Sequence, residues 1–403
     1  MIYFFCNGGL DKDVFDGSAS IFTGLLNHFP INLKKKTTIL TTNISLSVLE
    51  KRLQKKNLKI IQFSSIGDKR PAIIAYPKIL WHFFSNSIAR KRIESDLKKE
   101  RKIYLISGSD FWPDALPAIY YKLKYPSKVI WVASFFLFAP KPWGKQSPYK
   151  GRNFFIGFLY WLTQKPIYYL VKKYANYILV TSLPDVGKFI TPKRGKNKII
   201  VIKGGIDIKP SKTYLDSDKI IPMNKRKYDA CFVGRFHYQK GVLELVDIWQ
   251  RVCQKKPEAK LAMIGIGPLE DEVKGKIKKH GLEKNVELLG FRDGEEKYAV
   301  FKQSKIVVHP AIYDSGGMAA CEAMAWGLPG VSFNLESLKS YYPKGMLKTD
   351  CFNLVSFADK ILKLLDEEKY YQKISFEALS WAREWDWQKK VQEFLEKVKI
   401  DFS

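Results

Sequence analysis

Two carboxylates, Asp314 and Glu322, bracket a glycine pair in the stretch DSGGMAACEAMAWGLPG, residues 314–330 of a lysine-rich chain. The surrounding pattern predicts a strand, a short loop and a helix beginning near Met318, with Gly316 and Gly317 at the turn. A helix start offers unpaired N–H groups and a partial positive charge, and glycines let an anion come close to them. Phosphate suits that turn. Asp314 lies in the loop above it. Glu322 is about one turn into the helix, placed to accept hydrogen bonds from vicinal hydroxyls such as those of a ribose. A ligand with hydroxyls at both ends and phosphate between them, such as a nucleotide sugar, matches the arrangement. The same spacing also suits a helix that Asp314 caps while Glu322 is merely exposed.

A second stretch, CFVGRFHYQKGVLELV (231–246), ends a predicted strand at Gly234-Arg235 and reaches Lys240-Gly241 at a helix start. Two fixed cations there would suit a diphosphate clamp, Arg235 supplying a fork of donors and Lys240 a point charge; the stretch taken alone fits a solvated Arg and Lys better. LAMIGIGPLEDEV (261–273) and VELLGFRDGEE (286–296) place Gly265, Gly267 and Gly290 at strand ends, where open α/β sheets bind ligands.

The elements that must hold these residues follow from periodicity. Twelve short β-branched or aromatic runs, from MIYFFCN (1–7) to PGVSFN (329–334), alternate with helical patterns. Val242, Leu245, Val246 and Trp249, for example, fall at i, i+3, i+4 and i+7. Such alternation predicts doubly wound parallel sheets. At 403 residues there is room for two of them. The boundaries drawn are a first Rossmann-like domain over 1–205, a polar linker over 206–227 with two prolines, and a second Rossmann-like domain over 228–381. Beyond residue 368 the pattern is helical only.

Charge separates the halves. Residues 1–200 carry 34 basic against 11 acidic residues, a net +23, whereas residues 201–403 carry 34 against 29, a net +5. That asymmetry points to an anionic partner for the first half. Residues 131–174 interleave Phe, Trp and Tyr with lysines. Their apolar run NFFIGFLYWL is too short to span a bilayer, so the readings are an in-plane membrane contact or a buried helix. Five scattered cysteines without C-x-x-C spacing read as reduced thiols of a cytoplasmic protein. The opening MIYFFCNGG lacks the charged n-region of a signal peptide.

Taken in order, VGRFHYQKG, MIGIGPLEDEV, VELLGF and DSGGMAACEAMAWGLPGV resemble the C-terminal half of a retaining GT-B glycosyltransferase of glycosyltransferase family 4. The resemblance is dense over 229–333 and weaker at GGID (204–207) and at WDWQKKVQEFLEKV (385–398). It implies two Rossmann-like domains facing each other across a cleft, with a C-terminal helix (382–403) returning to the first. It further implies that Arg235 and Lys240 hold the donor diphosphate and Glu322 the ribose. Asp314 and the backbone N–H groups of Gly316 to Met318 then contact the transferred sugar and phosphate. The implied donor site also includes Gly8, Gly9 and Gly17, matching the family's glycine loop in CNGGLDKDVFDGSAS, and Gly234, Gly267, Gly290, Phe291, Arg292, Ser315 and Gly317. Two departures stand out. The family usually has Glu followed by Gly-aromatic-Gly where this chain has Asp314-Ser315-Gly316-Gly317. The functional His that many members carry after the fifth strand is missing, with Ala133 and Ser134 in its place. No general base is assigned.

The expectation is a retaining hexosyltransferase, cytoplasmic and peripheral on a membrane face, using a nucleoside diphosphate sugar and a glycan or lipid-linked acceptor. No cofactor and no metal are expected, since the Asp-x-Asp matches at 11–13 and 216–218 fall in a glycine loop and the linker. The alternatives are another GT-B sugar-nucleotide enzyme, an epimerase or phosphorylase, and a non-catalytic binder of membrane or nucleic acid. The dispersed lysines show no aromatic-interleaved RNA motif, so nucleic acid is not expected as a partner.

Overall fold

A computed structural model of the chain describes all residues except 15–16, 86, 145–146, 315–316, 340 and 401–403, together with the side chain of Arg152. The chain divides into two units. The first comprises Met1–Ala139, Ile156–Gly205 and Trp387–Ser403, the second Pro140–Phe155 and Ile206–Asp386.

Unit 1 is built on seven parallel strands: β1 (Ile2–Cys6), β2 (Thr37–Thr42), β3 (Lys59–Ser64), β4 (Ile103–Ser107), β5 (Val129–Ser134), β6 (Tyr177–Val180) and β7 (Ile199–Val201). Their order is β3-β2-β1-β4-β5-β6-β7. Every residue of β1 and β2 is buried, as expected of parallel strands covered on both faces. The helix Trp387–Val398 belongs to this unit. Its Trp387 ring fills the space above Gly24 and Gly205, where any Cβ would overlap the indole. Trp387 also stacks on His28, and Phe394 on Phe29.

Unit 2 carries β8 (Tyr228–Val233), β9 (Leu261–Ile264), β10 (Val286–Gly290), β11 (Ser304–His309), β12 (Gly330–Phe333) and β13 (Met346–Thr349). The order is β10-β9-β8-β11-β12-β13, all parallel. Alternate residues feed two cores. Ala230, Phe232, Met263, Ile306 and Val308 meet the helix Val242–Lys255, whose Val242, Leu245, Val246 and Trp249 are fully buried. Cys231, Ala262, Ile264 and Val307 face the other way, onto the helix Met318–Met324 with Trp326, Tyr341 and Tyr342.

Some elements differ from the sequence-based expectation. The stretch drawn as a linker, 206–227, is part of unit 2: Ile206 is buried and bridges to Asp386, and Lys209–Leu215 is helical. Residues 140–155, drawn with the first domain, also group with unit 2. Strand β13 was not anticipated. It is a short edge strand of sequence MLKT, only half buried, with neither a β-branched run nor clear alternation. Residues 154–174 form one helix, Phe154–Tyr174, that buries Gly157, Gln164, Ile167 and Val171. Among the described residues no helix is long and apolar enough to cross a membrane.

Candidate functional site

The loops that follow β8, β9, β10 and β11 meet at the C-terminal end of the unit 2 sheet, and backbone contacts lock them together. Gly234 N donates to Ile264 O at 3.0 Å, Phe236 N to Ile266 O at 2.9 Å, and Gly265 N to Gly290 O at 2.8 Å. Glycine is required where these loops touch. A Cβ on Gly265 would overlap the Gly234 carbonyl oxygen, and one on Gly267 the Phe236 carbonyl. The strand-end glycines thus serve first to let neighbouring loops approach.

The β8 and β11 loops are joined in the same way. Gly241, in the left-handed region at φ +63°, caps the helix Val242–Lys255, and a Cβ there would overlap the Pro310 carbonyl. Ile312 N and Tyr313 N both donate to Gln239 O, at 3.0 and 3.3 Å. This seam brings Lys240 to Asp314, with Nζ 2.5 Å from Oδ2. The Asp314 backbone carbonyl accepts from Ser337 Oγ. His309, at the end of β11, sets its Nε2 3.6 Å from the same carboxylate oxygen, beyond hydrogen-bond range. Burial alone pushes the Asp314 carboxyl up, but Lys240 and His309 reverse this and hold it well below the usual carboxylate range. Lys240 is therefore not the isolated cation that the sequence pattern implies. It neutralises Asp314.

Arg235 is exposed on the same β8 loop. His237 stands between Arg235 and Lys240, with its ring 6.5 Å from that of Tyr149. Burial, reinforced by the two cations, pushes the imidazole down to about 4, so it is neutral at physiological pH. Its Nδ1 accepts from Gln239 N at 3.3 Å.

Glu322 lies on the short helix Met318–Met324, and its Oε2 meets Lys297 Nζ at 2.7 Å. Lys297 is buried, its side chain 5% exposed, and also reaches Asp293 Oδ1 at 3.1 Å. An ammonium between two carboxylates fixes the Glu322 side chain. Sequence reasoning missed Lys297. The signal was present, because Lys297, Val300 and Phe301 share one face of the helix Gly294–Lys302.

Among the other expected donor residues, Gly317 packs so tightly under Tyr342 that a Cβ would overlap its hydroxyl. Met318 begins the helix. Gly290 turns the chain at φ +67°. Phe291 is half exposed, next to Arg292, which pairs with Glu296 at 3.2 Å. Ser315 and Gly316 lie outside the described residues. Gly8, Gly9 and Gly17 belong to unit 1. A Cβ on Gly8 would overlap Phe111, Gly9 packs against Ser45, and nothing crowds Gly17. Beside Gly8, Asn7 N and Ser109 Oγ donate to the two oxygens of Asp114, each at 2.6 Å. Gln164 Nε2 donates to Asp110 Oδ2 at 2.8 Å. Burial raises Asp114 to about 7 and Asp110 to about 6. Among the described residues no group of three or more His, Cys, Asp or Glu side chains is placed to hold a metal ion.

Residues 215–381 match the family model described as glycosyl transferases group 1. An uncharacterized glycosyltransferase of Methanocaldococcus jannaschii is 35% identical over 100 residues, covering 25% of either chain. The poly(glycerol-phosphate) alpha-glucosyltransferase of Bacillus subtilis is 24% identical over 170 residues, 41% of this chain and 25% of that one. The chain thus spans a quarter of the length of these two curated relatives. Anabaena HepE, solved in complex with UDP and glucose, superposes with a TM-score of 0.70 at 15% identity, covering 99% of both chains. The fold is GT-B, two parallel-sheet α/β domains.

Proposed function

We propose that this chain, with residues 215–381 matching glycosyl transferases group 1 on a GT-B fold, moves a hexose from a nucleoside diphosphate sugar to an acceptor with retention at the anomeric carbon. The observation that carries the reading is the Lys240–Asp314 pair, with Arg235 on the same β8 loop as Lys240 and the Lys297-held Glu322 on the helix Met318–Met324. The donor diphosphate draws Lys240 away from Asp314 and takes the Arg235 fork. Released, Asp314 accepts from a hydroxyl of the sugar, and Glu322 accepts from the ribose hydroxyls. A uridine diphosphate sugar is the first donor to test, because the HepE neighbour was solved with UDP and glucose.

The bond between the anomeric carbon and the phosphate oxygen breaks, its electron pair staying on the diphosphate. The acceptor oxygen bonds to the carbon on the same face and gives its proton to the departing phosphate oxygen. No protein nucleophile or general base takes part. The cations stabilise the leaving charge and position both partners, and no metal ion enters the proposal. Unit 1 holds the acceptor, a glycan or lipid-linked glycan, at an anionic membrane surface.

Thermal-shift titration with uridine and guanosine diphosphate sugars tests the donor half, since a ligand at about a hundred times its Kd adds roughly 2.7 kcal/mol of stability. One sugar nucleotide should raise Tm in the wild type and leave Glu322→Ala unmoved. Proton NMR of the product should show the donor's anomeric configuration. Full turnover in Glu322→Ala, or no shift with any sugar nucleotide, would overturn the assignment.

A further inference from the structure

The helix Ala72–Phe84 shows a feature that its sequence did not advertise. It buries Ala75, Ile79 and Phe83, yet turns Ile73, Ile74 and Trp81 outward, with Trp81 71% exposed. The helix Phe154–Tyr174 does the same. Gly157, Gln164 and Val171 face inward, while Leu162 and Tyr169, about 200° around the axis, face water. A helix on a water-exposed surface places polar residues on its outer face, and these two set large apolar side chains there among their lysines.

The helices belong to one site in unit 1. Phe111, which follows β4, lies 5.8 Å from Tyr76 on the first helix and 6.5 Å from Tyr160 on the second. Trp112 Nε1 donates to Thr163 O at 3.1 Å, and Tyr76 Oη to Gly8 O at 3.2 Å. Both helices therefore flank the ends of β1 and β4. Neither helix carries an acidic residue, whereas Lys78, Lys165, Lys172 and Lys173 lie on them. Lys165 sits 3.5 Å above the Trp161 ring. Exposed aliphatic and aromatic side chains beside lysines, in a half of net charge +23, complement the interface of an anionic bilayer.

We propose that these two helices together form the footprint by which unit 1 docks in the plane of an anionic lipid surface, with Trp81 and Leu162 among the inserted side chains. This rests on the membrane contact proposed above and adds to it a second helix and a defined set of residues.

Co-sedimentation with vesicles tests it, using phosphatidylcholine alone and phosphatidylcholine with about a third phosphatidylglycerol. Wild type should pellet with the mixed vesicles, less so as salt rises. Trp81→Glu and Leu162→Glu should each weaken partition by about tenfold or more. Phe376→Glu, at an equally exposed position of unit 2, should not. Circular dichroism guards against misfolding. Quenching of wild-type tryptophan fluorescence by brominated lipid gives a readout that needs no variant. If wild type binds but only one helix matters, the two-helix footprint is wrong and membrane contact stands. No binding of wild type overturns both. A lipid-free dimer that Trp81→Glu dissolves, seen by sedimentation velocity, would make a second copy the occupant and overturn the proposal. Donor-induced thermal shifts should be unchanged in both variants, so the outcome is separable from the transferase reading.

Discussion

Replacing Lys240 by methionine removes the ammonium 2.5 Å from Asp314 while keeping most of the side-chain volume. The Asp314 side chain is 11% exposed, so the variant leaves a largely buried carboxylate without its principal counterion. Breaking a buried pair in this way costs roughly 3–5 kcal/mol. His309 stands 3.6 Å away and Lys240 itself is partly exposed, which places the expected loss near the lower end, about 3 kcal/mol. Asp314→Asn leaves only a lysine that can turn to water and should lose about 1 kcal/mol or less. The double variant should resemble Asp314→Asn, giving a coupling of about 3 kcal/mol, the whole of the Lys240→Met loss. Amide exchange of β8 and β11 in urea isolates unit 2 from the rest of the chain.

The pH dependence carries a sign. In wild type the folded carboxyl is depressed, so its contribution is present above the unfolded carboxylate value near ~3.9 and is lost as pH falls through the folded value. Without Lys240, burial raises the carboxyl instead, and the defect of Lys240→Met should shrink as the pH drops toward ~4. UDP affinity, by calorimetry, should fall about a hundredfold in Lys240→Met, which is about 2.7 kcal/mol, and hold or rise in Asp314→Asn. Additive effects on stability, a defect independent of pH, or equal loss of UDP binding in both variants would refute the pairing argument.

Two further outcomes are expected. Asp114 and Asp110 are raised by burial to about 7 and about 6, so their contribution to unit 1 is fully present below the unfolded carboxylate value and is lost as pH rises through 6 to 7; Asp114→Asn should flatten most of that slope in amide exchange of β1 and β4. Lys297→Met should loosen Glu322 and weaken UDP binding by about tenfold or more, with Lys297→Arg restoring part of it, whereas a purely structural role for Lys297 predicts lost stability at unchanged affinity.

What the sequence made legible depended on residue type. Gly265, Gly267 and Gly241 stood out at strand ends and a helix start and were read as ligand positions, whereas the structure shows each meeting a neighbour's carbonyl where a Cβ would go. The helix Val242–Lys255 was readable from its apolar stripe because every stripe position is buried. Pairings across distance were not readable. Lys297 and Glu322 are 25 residues apart, and Lys240 and Asp314 74 apart. A helix face can mark Lys297 as buried, but in a chain with 68 basic residues nothing in the sequence says which distant carboxylate a given lysine meets. The outward faces of Ala72–Phe84 escaped for the opposite reason. An apolar run predicts burial, and Trp81 departs from that expectation. Strand β13, half exposed at an edge, has too little pattern to be seen.

Unit 1 is written in three pieces, and its last one, Trp387–Ser403, supplies the ring that caps Gly24 and Gly205. Ribosomal synthesis delivers that piece after the whole of 206–386. The usual order, in which the leading domain matures while the following one is still being made, does not hold here: unit 1 keeps an open seat for that indole until the whole of unit 2 has been synthesised, and the two units receive their closing pieces together.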